Sequence, residues 1–478
     1  MRAAWAALAL CAQLAGGCSF DSSGSAGGRG GSGGTGGGSG DGGLDAPIDS
    51  SVDANPGCAV ASAVIWVGPM LWMSQTMPAY TVIVGDTVVL QARQVMPASA
   101  TLSWSLTPSN GTNGTIRPPG STLVVLYPTE PGDYHAHLTV TDPMSGMFCE
   151  ITNFAFRALG PQPLPNNAAS AASNQVNDLS AGGQQLWTAT GDRAWRIALD
   201  PGMRSGWQDV RTAFPQGVGF AMNNLGAVFY DGSDSAVWYA VNGPQPSVFK
   251  VDLTGANIDA VDIAGAAGGN AKANEFSRGG GPVHVATDHG LLQWSSGSSF
   301  TNRQFIMGME NLSTVTEVPA TAVWAGGPSL QSFGGGSCTP CDVFPGGDDK
   351  IRALRFETGD NNLLWVGSDG FGLGKYNISM GTRVDTLTTQ SAPPRQMPSD
   401  KIRAIVIDGL DVWLATDQGA ARFKRDPGAV ITYGLQAPGQ PLAGPQLDTR
   451  ALVVDYSTGP RRVFLGTAAG VLVLEVPP

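Results

Sequence analysis

From about Asn174 onward the sequence repeats one unit: an apolar strand, a loop, an aromatic-led strand ending in small residues, a Gly turn and a further strand. The cleanest copy lies in residues 397–423, and residues 349–376 and 449–474 repeat it. Seven anchors mark seven units: Trp187, Trp238, His284, Trp324, Trp365, Trp413 and Phe464. Successive anchors lie 51, 46, 40, 41, 48 and 51 residues apart. This period is typical of blades of four short strands, so the repeat predicts a seven-bladed β-propeller.

The anchors are expected in the core between blades. Stacked sheets must bury a bulky ring, and small residues after the ring let the next turn pass closely. The last unit lacks a fourth strand, so the segment between about Leu164 and Gln175 is expected to supply it. Ring closure of this kind removes exposed sheet edges.

The repeat resembles the two-component-regulator propeller repeat, whose pattern is Pro-Ser, an apolar strand ending in Asp, Leu-Trp-Ile-Gly-Thr, and Gly-Leu-x-Arg-Tyr. Residues 397–423 follow this pattern almost throughout, with Ala415 in place of the Gly. In that family the propeller is usually the extracytoplasmic sensing part of a membrane kinase or regulator. The resemblance therefore implies sensing of a ligand or partner.

The N-terminus carries an export signal. Met1-Arg2, an apolar run to Ala15 and Ala15-Gly16-Gly17-Cys18 resemble a bacterial lipoprotein signal, which implies that Cys18 is acylated. Leu14 lies four residues before Cys18, whereas the usual box has Leu three before, and a plain secretory signal cleaved near Gly17 is the alternative. The run is too short to span a bilayer. We therefore expect an exported protein anchored by lipid to a bacterial membrane, at the outer membrane or cell surface.

Four segments follow from composition and pattern. Residues 1–17 form the signal peptide, and residues 18–56 form a Gly/Ser-rich coil with a reach of roughly 30–40 Å. Residues 57–160 show short strands at the spacing of an Ig-like β-sandwich, and residues 161–478 form the propeller. The strand that runs from Pro131-Gly132 through Tyr134 to Asp142 resembles the late strand of PKD and related Ig-like modules. The whole chain is thus predicted to be all-β.

Two pairs of cysteines are candidates for disulfides, because exported proteins fold in an oxidising environment. Cys58 and Cys149 bracket the sandwich, and either a disulfide or two buried free thiols would fit. Cys338 and Cys341 form a lone CxxC in a Gly-rich loop, without the helix of a redox site or the second pair of a zinc site. A local disulfide is predicted there, and the loop is expected to project as a binding feature.

Charge and ligand patterns exclude several functions. A net charge of −11 and a pI near 4.8 leave no basic surface for a nucleic acid. His135 and His137 share a strand face but have no third ligand nearby, so no metal site is predicted. Acidic turns at 231–234, 347–349 and 358–362 lack the full spacing of a calcium loop. No cofactor is therefore expected, with calcium left open.

The leading hypothesis is a surface-tethered lipoprotein whose propeller is a non-catalytic binding, sensing or scaffold module for a protein, peptide or glycan. The alternative is a carbohydrate-active hydrolase or lyase with its site at the central channel. His289 lies on a turn, His284 occupies an anchor position, and no nucleophile elbow or phosphate loop is present. The charged residues look scattered along the sequence. Three or more carboxylates clustered with Arg or His at the channel would count against the binding-only hypothesis.

Overall fold

The computed structural model is described for the following residues: 62–67, 72–73, 80–84, 88–107, 123–126, 128, 130–165, 174–200, 202, 204, 206–210, 225–242, 247–267, 271–295, 299–302, 310–318, 322–334, 341–344, 349–392, 395–425, 431–433, 444–457 and 461–476. The signal peptide, Cys18, the Gly/Ser-rich segment, Cys58, Cys338, Gly347 and Asp348 lie outside these residues. Within them, no helix is long and apolar enough to cross a membrane.

An Ig-like sandwich of two sheets comes first. Its strands are β1 (Ser62–Val67), β2 (Trp72–Met73), β3 (Tyr80–Ile83), β4 (Val88–Met96), β5 (Thr101–Thr107), β6 (Leu123–Leu126), β7 (Gly132–Thr141) and β8 (Phe148–Leu159). One sheet has the order β1-β4-β6, the other β2-β3-β8-β7-β5, with β3 parallel to β8. Side chains of β5 alternate between exposed and buried, because one face of the strand packs on the core. Trp104, Tyr134 and Phe156 lie in that core.

Seven sheets follow in the described residues, one for each predicted blade. Blades 1 to 4 are β10–β13 (Val176–Gly182, Gln185–Thr190, Ala194–Ala198, Gln208–Asp209), β14–β17 (Leu225–Asp231, Ala236–Val241, Ser247–Asp252, Asn257–Asp262), β18–β21 (Ala273–Ser277, His284–Thr287, Gly290–Ser295, Ser299–Asn302) and β22–β24 (Thr314–Val318, Ala322–Gly326, Leu330–Phe333). Blades 5 to 7 are β25–β28 (Ile351–Glu357, Asp360–Ser368, Leu373–Asn377, Thr382–Leu387), β29–β32 (Ile402–Asp408, Asp411–Thr416, Gly419–Lys424, Ile431–Tyr433) and β33–β35 (Thr449–Asp455, Arg461–Thr467, Gly470–Val476) with β9 (Gln162–Pro163). The all-β prediction of a sandwich followed by a seven-bladed propeller is confirmed.

The ring closes through β9, which pairs antiparallel with β35 through Pro163↔Leu472 and Gln162↔Val473. The expected closing segment, from about Leu164 to Gln175, was placed slightly too late in the chain. Only two residues separate β8 from β9, so the last sandwich strand leads directly into the closing strand. Leu164 adds one more backbone hydrogen bond, from its N–H to the carbonyl oxygen of Val471. The sandwich and the seventh blade are therefore joined without a linker.

The repeat motif has a local physical cause at the turn between the second and third strands. In blade 6 the buried Thr416 hydroxyl donates to the carbonyl oxygen of Gly419, at 2.6 Å, and accepts from the N–H of Gln418, at 3.2 Å. Gly419 has φ +107°, a conformation that a side chain would strain. Thr287 and Thr467 make the same hydrogen bonds in blades 3 and 7. The Thr-x-x-Gly spacing therefore stabilises a tight turn.

The third strand places a cation over the anchor ring in four blades. The cross-strand pairs are Arg196 on Trp187, Lys250 on Trp238, Lys375 on Trp365 and Arg422 on Trp413, with the charge 4.7–5.7 Å from the ring centre. Each pair combines apolar burial of the side-chain stem with cation–π attraction. This contact explains the basic residue of the Gly-Leu-x-Arg-Tyr motif.

Blade 4 has three strands among the described residues, and the CxxC loop borders its outer strand. Cys341 bridges to Leu330 of β24, and Cys341, Val343 and Phe344 are buried. The buried carboxylate of Asp349 accepts from the N–H groups of Val343, at 2.9 Å, and Phe344, at 2.8 Å. The described end of this loop therefore packs into the blade and does not project as expected. A single-turn helix (Ala264–Ala267) and a 3-10 helix (Gly444–Leu447) complete the described elements.

Candidate functional site

A cavity of about 760 Å³ lies along the centre of the propeller. Its wall is formed by the innermost strands β10, β14, β18, β25, β29 and β33, together with Ser313 beside β22. Each blade thus contributes its first strand or the residue next to it. The channel is the one place where all seven repeats meet, so we take it as the candidate site.

One position recurs at the mouth of this channel. In six inner strands the pairing register skips the second residue, and the skipped residues are Asn177, Gly226, Asn274, Arg352, Arg403 and Arg450. All six line the cavity. An unpaired bulge residue changes the direction of its side chain, which is why bulges occur beside binding sites. Three adjacent blades, 5 to 7, therefore carry an arginine at the same structural position.

The three arginines differ in how firmly they are held. Arg450 donates to Asp448 Oδ2 from Nη2 at 2.7 Å and to Asn177 Oδ1 from Nη1 at 3.0 Å. Arg403 makes an ion pair with the same aspartate at 3.1 Å, and its side chain is 37% exposed. Arg352 lies 3.6 Å from Asp369, and its side chain is 53% exposed. Arg352 Nη1 also donates to Ser313 Oγ at 3.2 Å. Two guanidinium groups at the mouth are thus paired with neighbouring side chains but exposed to solvent.

Below the mouth, the channel wall contains Asp178, Glu275 and Arg355. Asp178 Oδ2 accepts from the N–H of Val228 in the next blade at 2.9 Å. Burial raises the pKa of Asp178 to about 7; the charge of Glu275 adds to this shift and that of Arg355 opposes it. Burial also raises the pKa of Glu275. The wall therefore holds one carboxyl group, that of Asp178, that gains or loses a proton near neutral pH, and a second, that of Glu275, whose pKa is raised.

Side chains of one blade satisfy backbone groups of the next around the channel. Ser180 Oγ accepts from the N–H of Tyr230 at 2.8 Å, and Asn274 Nδ2 donates to the carbonyl oxygen of Leu312 at 2.7 Å. Arg355 Nε donates to the carbonyl oxygen of Ile405 at 3.2 Å. The edge of each inner strand that faces the channel has backbone groups without a neighbouring strand. These side-chain hydrogen bonds satisfy some of those groups. The wall is therefore pre-organised.

The opposite end of the inner strands carries ion pairs between neighbouring blades. These contacts, which we call the clamps, are the ion pairs Asp231 with Arg278, Glu357 with Arg425 and Asp408 with Arg461, together with the hydrogen-bonded pair Glu317 with His284. The four carboxylates are 0–7% exposed. Burial of such charges requires a partner, so the clamps fix the blades relative to one another.

The seven predicted anchors all lie in the second strand of their blades and are 0–3% exposed. His284 differs in chemistry, because a buried imidazole needs a polar partner and finds it in Glu317 Oε1 at 2.6 Å. His289 has a 45% exposed side chain, and its Nδ1 lies 2.8 Å from Asp288 Oδ1. His135 is exposed on the sandwich, and His137 Nε2 lies 2.9 Å from the Thr107 hydroxyl.

The predicted disulfides stay predictions, because Cys58 and Cys338 lie outside the described residues. Cys149 and Cys341 are buried, at 1% and 2% exposure.

The acidic turns considered for calcium have other contacts. Asp234 pairs with Lys250 at 2.7 Å, and Asp231 pairs with Arg278. Asp360 Oδ1 accepts from the N–H of Asn362 at 2.9 Å, as in an ordinary Asx turn. Within the described residues, no group of three or more His, Cys, Asp or Glu side chains is placed to hold a metal ion.

The expectation of scattered charges was wrong. Asp178, Glu275 and Asp369 line the channel together with Arg352, Arg355, Arg403 and Arg450. The signal was present in the sequence as an Arg-Ala pair at the start of the inner strand, in 352–353, 403–404 and 450–451. This pattern was not identified from the sequence, because the β-bulge that brings the three arginines to the mouth of the channel cannot be predicted from the sequence. Three carboxylates and four arginines thus line one channel, so an enzymatic function stays in consideration beside binding.

No family model and no curated protein matches the sequence. Among solved structures, selenomethionine-substituted virginiamycin B lyase from Staphylococcus aureus is similar at 12% identity with a TM-score of 0.51, covering 67% of this chain and 100% of that one. A chain of the Mitotic Checkpoint Complex is similar at 10% identity with a TM-score of 0.48, covering 66% and 94%. The first likeness shows the fold, and the chain is a propeller-type protein.

Proposed function

We propose that the chain is a surface-tethered lipoprotein whose propeller binds an acidic glycan at the mouth of its central channel. The observation that carries this proposal is the row of Arg352, Arg403 and Arg450 at one position of three adjacent blades. Arginine binds carboxylates through two parallel hydrogen bonds, which fixes both the charge and the orientation of a ligand.

The existing ion pairs leave room for such a ligand. Arg352 and Asp369 are 53% and 40% exposed and 3.6 Å apart, and an exposed pair of this kind contributes little to stability. A ligand carboxylate can therefore replace Asp369 at small cost. Arg450 is held by Asp448 and Asn177 and stabilises its own part of the channel wall.

The size and polarity of the channel favour a sugar over a folded partner. A volume of about 760 Å³ lies in the range of pockets that bind small ligands. Asn177, Ser180, Asn274 and Ser313 add amide and hydroxyl groups to the lining, which suits a ligand rich in hydroxyl groups. Within this channel the charged groups then select an acidic sugar.

The binding test is calorimetric titration of the full mature chain with a galacturonic acid oligomer. We expect binding that weakens with added salt, and an Arg352→Gln/Arg403→Gln variant should lose about tenfold or more in affinity because charge-assisted hydrogen bonds are lost. A neutral galactose oligomer should not bind.

The matched control is Arg395→Gln, which removes an arginine paired with Asp385 at the outer edge of blade 5 and should leave affinity unchanged. Equal binding of the acidic and neutral oligomers would refute charge recognition. Binding of an acidic peptide but neither oligomer would replace the glycan with a peptide ligand.

A second candidate function is supported by the titration of Asp178. As a base, the Asp178 carboxylate, with a pKa of about 7, would take the proton from the carbon that bears the ligand carboxylate; a carbon–carbon double bond forms as the adjacent sugar–oxygen bond breaks, and the departing oxygen takes up a proton from Asp178 or from water. The products would be an unsaturated sugar and a free hydroxyl group. Ultraviolet absorbance of the product, lost in Asp178→Asn, would identify a lyase; new reducing ends without absorbance would indicate a hydrolase.

The tether forms a separate part of the proposal. Cys18 with the flexible segment after it would hold the propeller near a membrane while leaving the channel free. The intact mass of the protein purified from membranes should exceed that of the chain beginning at Cys18 by the mass of acyl groups. A mass equal to the unmodified chain would indicate the plain secretory signal.

A further inference from the structure

One end of the sandwich exposes a cluster of large apolar side chains. Met96, Met144, Met147 and Phe148, which we call the sandwich tip, are 62%, 91%, 41% and 57% exposed. They lie at the same end of the sandwich because β5 begins beside the end of β7, through Thr101↔Thr141, and Phe148 also pairs with Thr141. Met96 ends the strand that leads into β5. Such a group of exposed apolar residues marks a contact surface.

The turn that carries the tip is held by hydrogen bonds to the Asp142 carboxylate. Asp142 Oδ1 accepts from the N–H of Met144 at 2.9 Å, and Asp142 Oδ2 accepts from the Ser145 hydroxyl at 2.7 Å. These hydrogen bonds lower the pKa of Asp142. No Lys, Arg, Asp or Glu occurs in residues 96–100 or 143–149. The tip therefore presents apolar side chains beside one carboxylate, Asp142, whose hydrogen bonds hold the turn.

The position of the tip indicates what covers it. Ser62, where the described chain enters β1, pairs with Met96. The chain that carries the proposed anchor at Cys18 therefore enters β1 at the same end of the sandwich as the tip. β8 runs from Phe148 at the tip to Leu159 beside the propeller, a distance of about 35 Å for an extended strand. The propeller lies at the other end of the sandwich.

We infer that the sandwich tip docks on the lipid bilayer that holds the anchor, with Met96, Met144, Met147 and Phe148 in the interfacial region. Met and Phe transfer favourably from water to this region, and the tip has no Lys or Arg that would require an anionic lipid. Docking fixes the sandwich as a spacer that holds the channel away from the membrane. This inference rests on the proposed tether for the location of the membrane, and not on the ligand of the channel.

Methionine oxidation tests the contact. The mature chain with Cys18→Ser and an N-terminal hexahistidine tag is attached to vesicles of phosphatidylethanolamine and phosphatidylglycerol that contain a nickel-chelating lipid. Peroxide converts exposed Met to sulfoxide, so Met144 should oxidise about fivefold more slowly on vesicles than in solution if the tip is docked. Met380, 73% exposed in blade 5, is the internal control and should oxidise equally in both.

Two variants sharpen the test. Met144→Ser/Phe148→Ser should abolish the protection of Met96 and Met147, whereas Met380→Ser/Val384→Ser, which removes two exposed apolar residues of the propeller, should leave it intact. Equal oxidation of the tip on vesicles and in solution would overturn the inference. Protection of the tip in solution, together with dimers detected by light scattering, would also overturn it, because the tip would then contact a second copy of the chain. Since the tag replaces the acyl groups, a failure here is distinct from a failure of lipidation at Cys18.

Discussion

The two ends of the inner propeller strands use the same chemistry for different purposes. At one end Asp408, fully buried, accepts from Arg461 at 2.9 Å and from the hydroxyl of Tyr456 at 3.1 Å, both in the next blade. At the other end Arg352 and Asp369 lie 3.6 Å apart and are about half exposed. An ion pair out of water must be complete, whereas an exposed pair can exchange partners. The degree of burial therefore distinguishes the charged residues that hold the ring together from those that can bind a ligand.

The largest effect should come from breaking a clamp. Asp408→Ala leaves the Arg461 guanidinium and the Tyr456 hydroxyl without this acceptor, and we expect a loss of about 3 kcal/mol in the free energy of unfolding. Urea denaturation of the full chain measures it. Asp369→Ala at the exposed end is the matched control and should cost far less. Equal losses in both variants would show that burial does not distinguish the two ends.

A smaller effect should come from Asp178, between the two ends. Its pKa is about 7 in the folded chain and near 3.8 when unfolded, so the folded state binds the proton more tightly. Stability from this group is therefore complete below pH 3.8 and falls as the pH rises toward 7. Asp178→Asn removes this dependence, and from pH 5 to pH 8 it should gain about 2 kcal/mol relative to the parent.

The comparison is between urea midpoints of the two proteins at both pH values. Asp133→Asn, on the exposed sandwich surface where Arg157 lowers the pKa, is the control and should not show this gain between pH 5 and pH 8. A parallel pH profile for Asp178→Asn and the parent would mean that Asp178 stays ionised in the channel wall.

The blade architecture could be predicted from the sequence because it depends on local, repeated needs. A bulky ring must be buried between sheets, and Thr416 with Gly419 must form a turn, so these residues recur at a fixed spacing. The channel site could not be predicted in the same way. Its arginines lie about 50 residues apart in sequence and meet only through ring closure and the register shift that displaces each of them from the pairing.

The clamps are a second example of contacts that could not be predicted from the sequence. The repeat pattern ends its first strand in Asp, but only the structure pairs Asp408 with a residue 53 positions later. Likewise, His284 was expected as a core residue, and its partner Glu317 lies in the next blade. Contacts within a blade can be predicted from spacing, whereas contacts between blades depend on how the sheets stack.

The smallest effect on stability should come from a substitution at the proposed ligand site, which should instead affect binding. Arg352→Gln removes a charge that is 53% exposed, so the free energy of unfolding should change by less than about 0.5 kcal/mol. The same substitution removes one of the two exposed guanidinium groups and should weaken binding of the galacturonic acid oligomer. Calorimetry and urea denaturation on one preparation separate the two quantities, with Arg395→Gln as the control that changes neither. A loss of stability equal to that of Asp408→Ala would place Arg352 among the clamps, and the mouth would then be part of the scaffold.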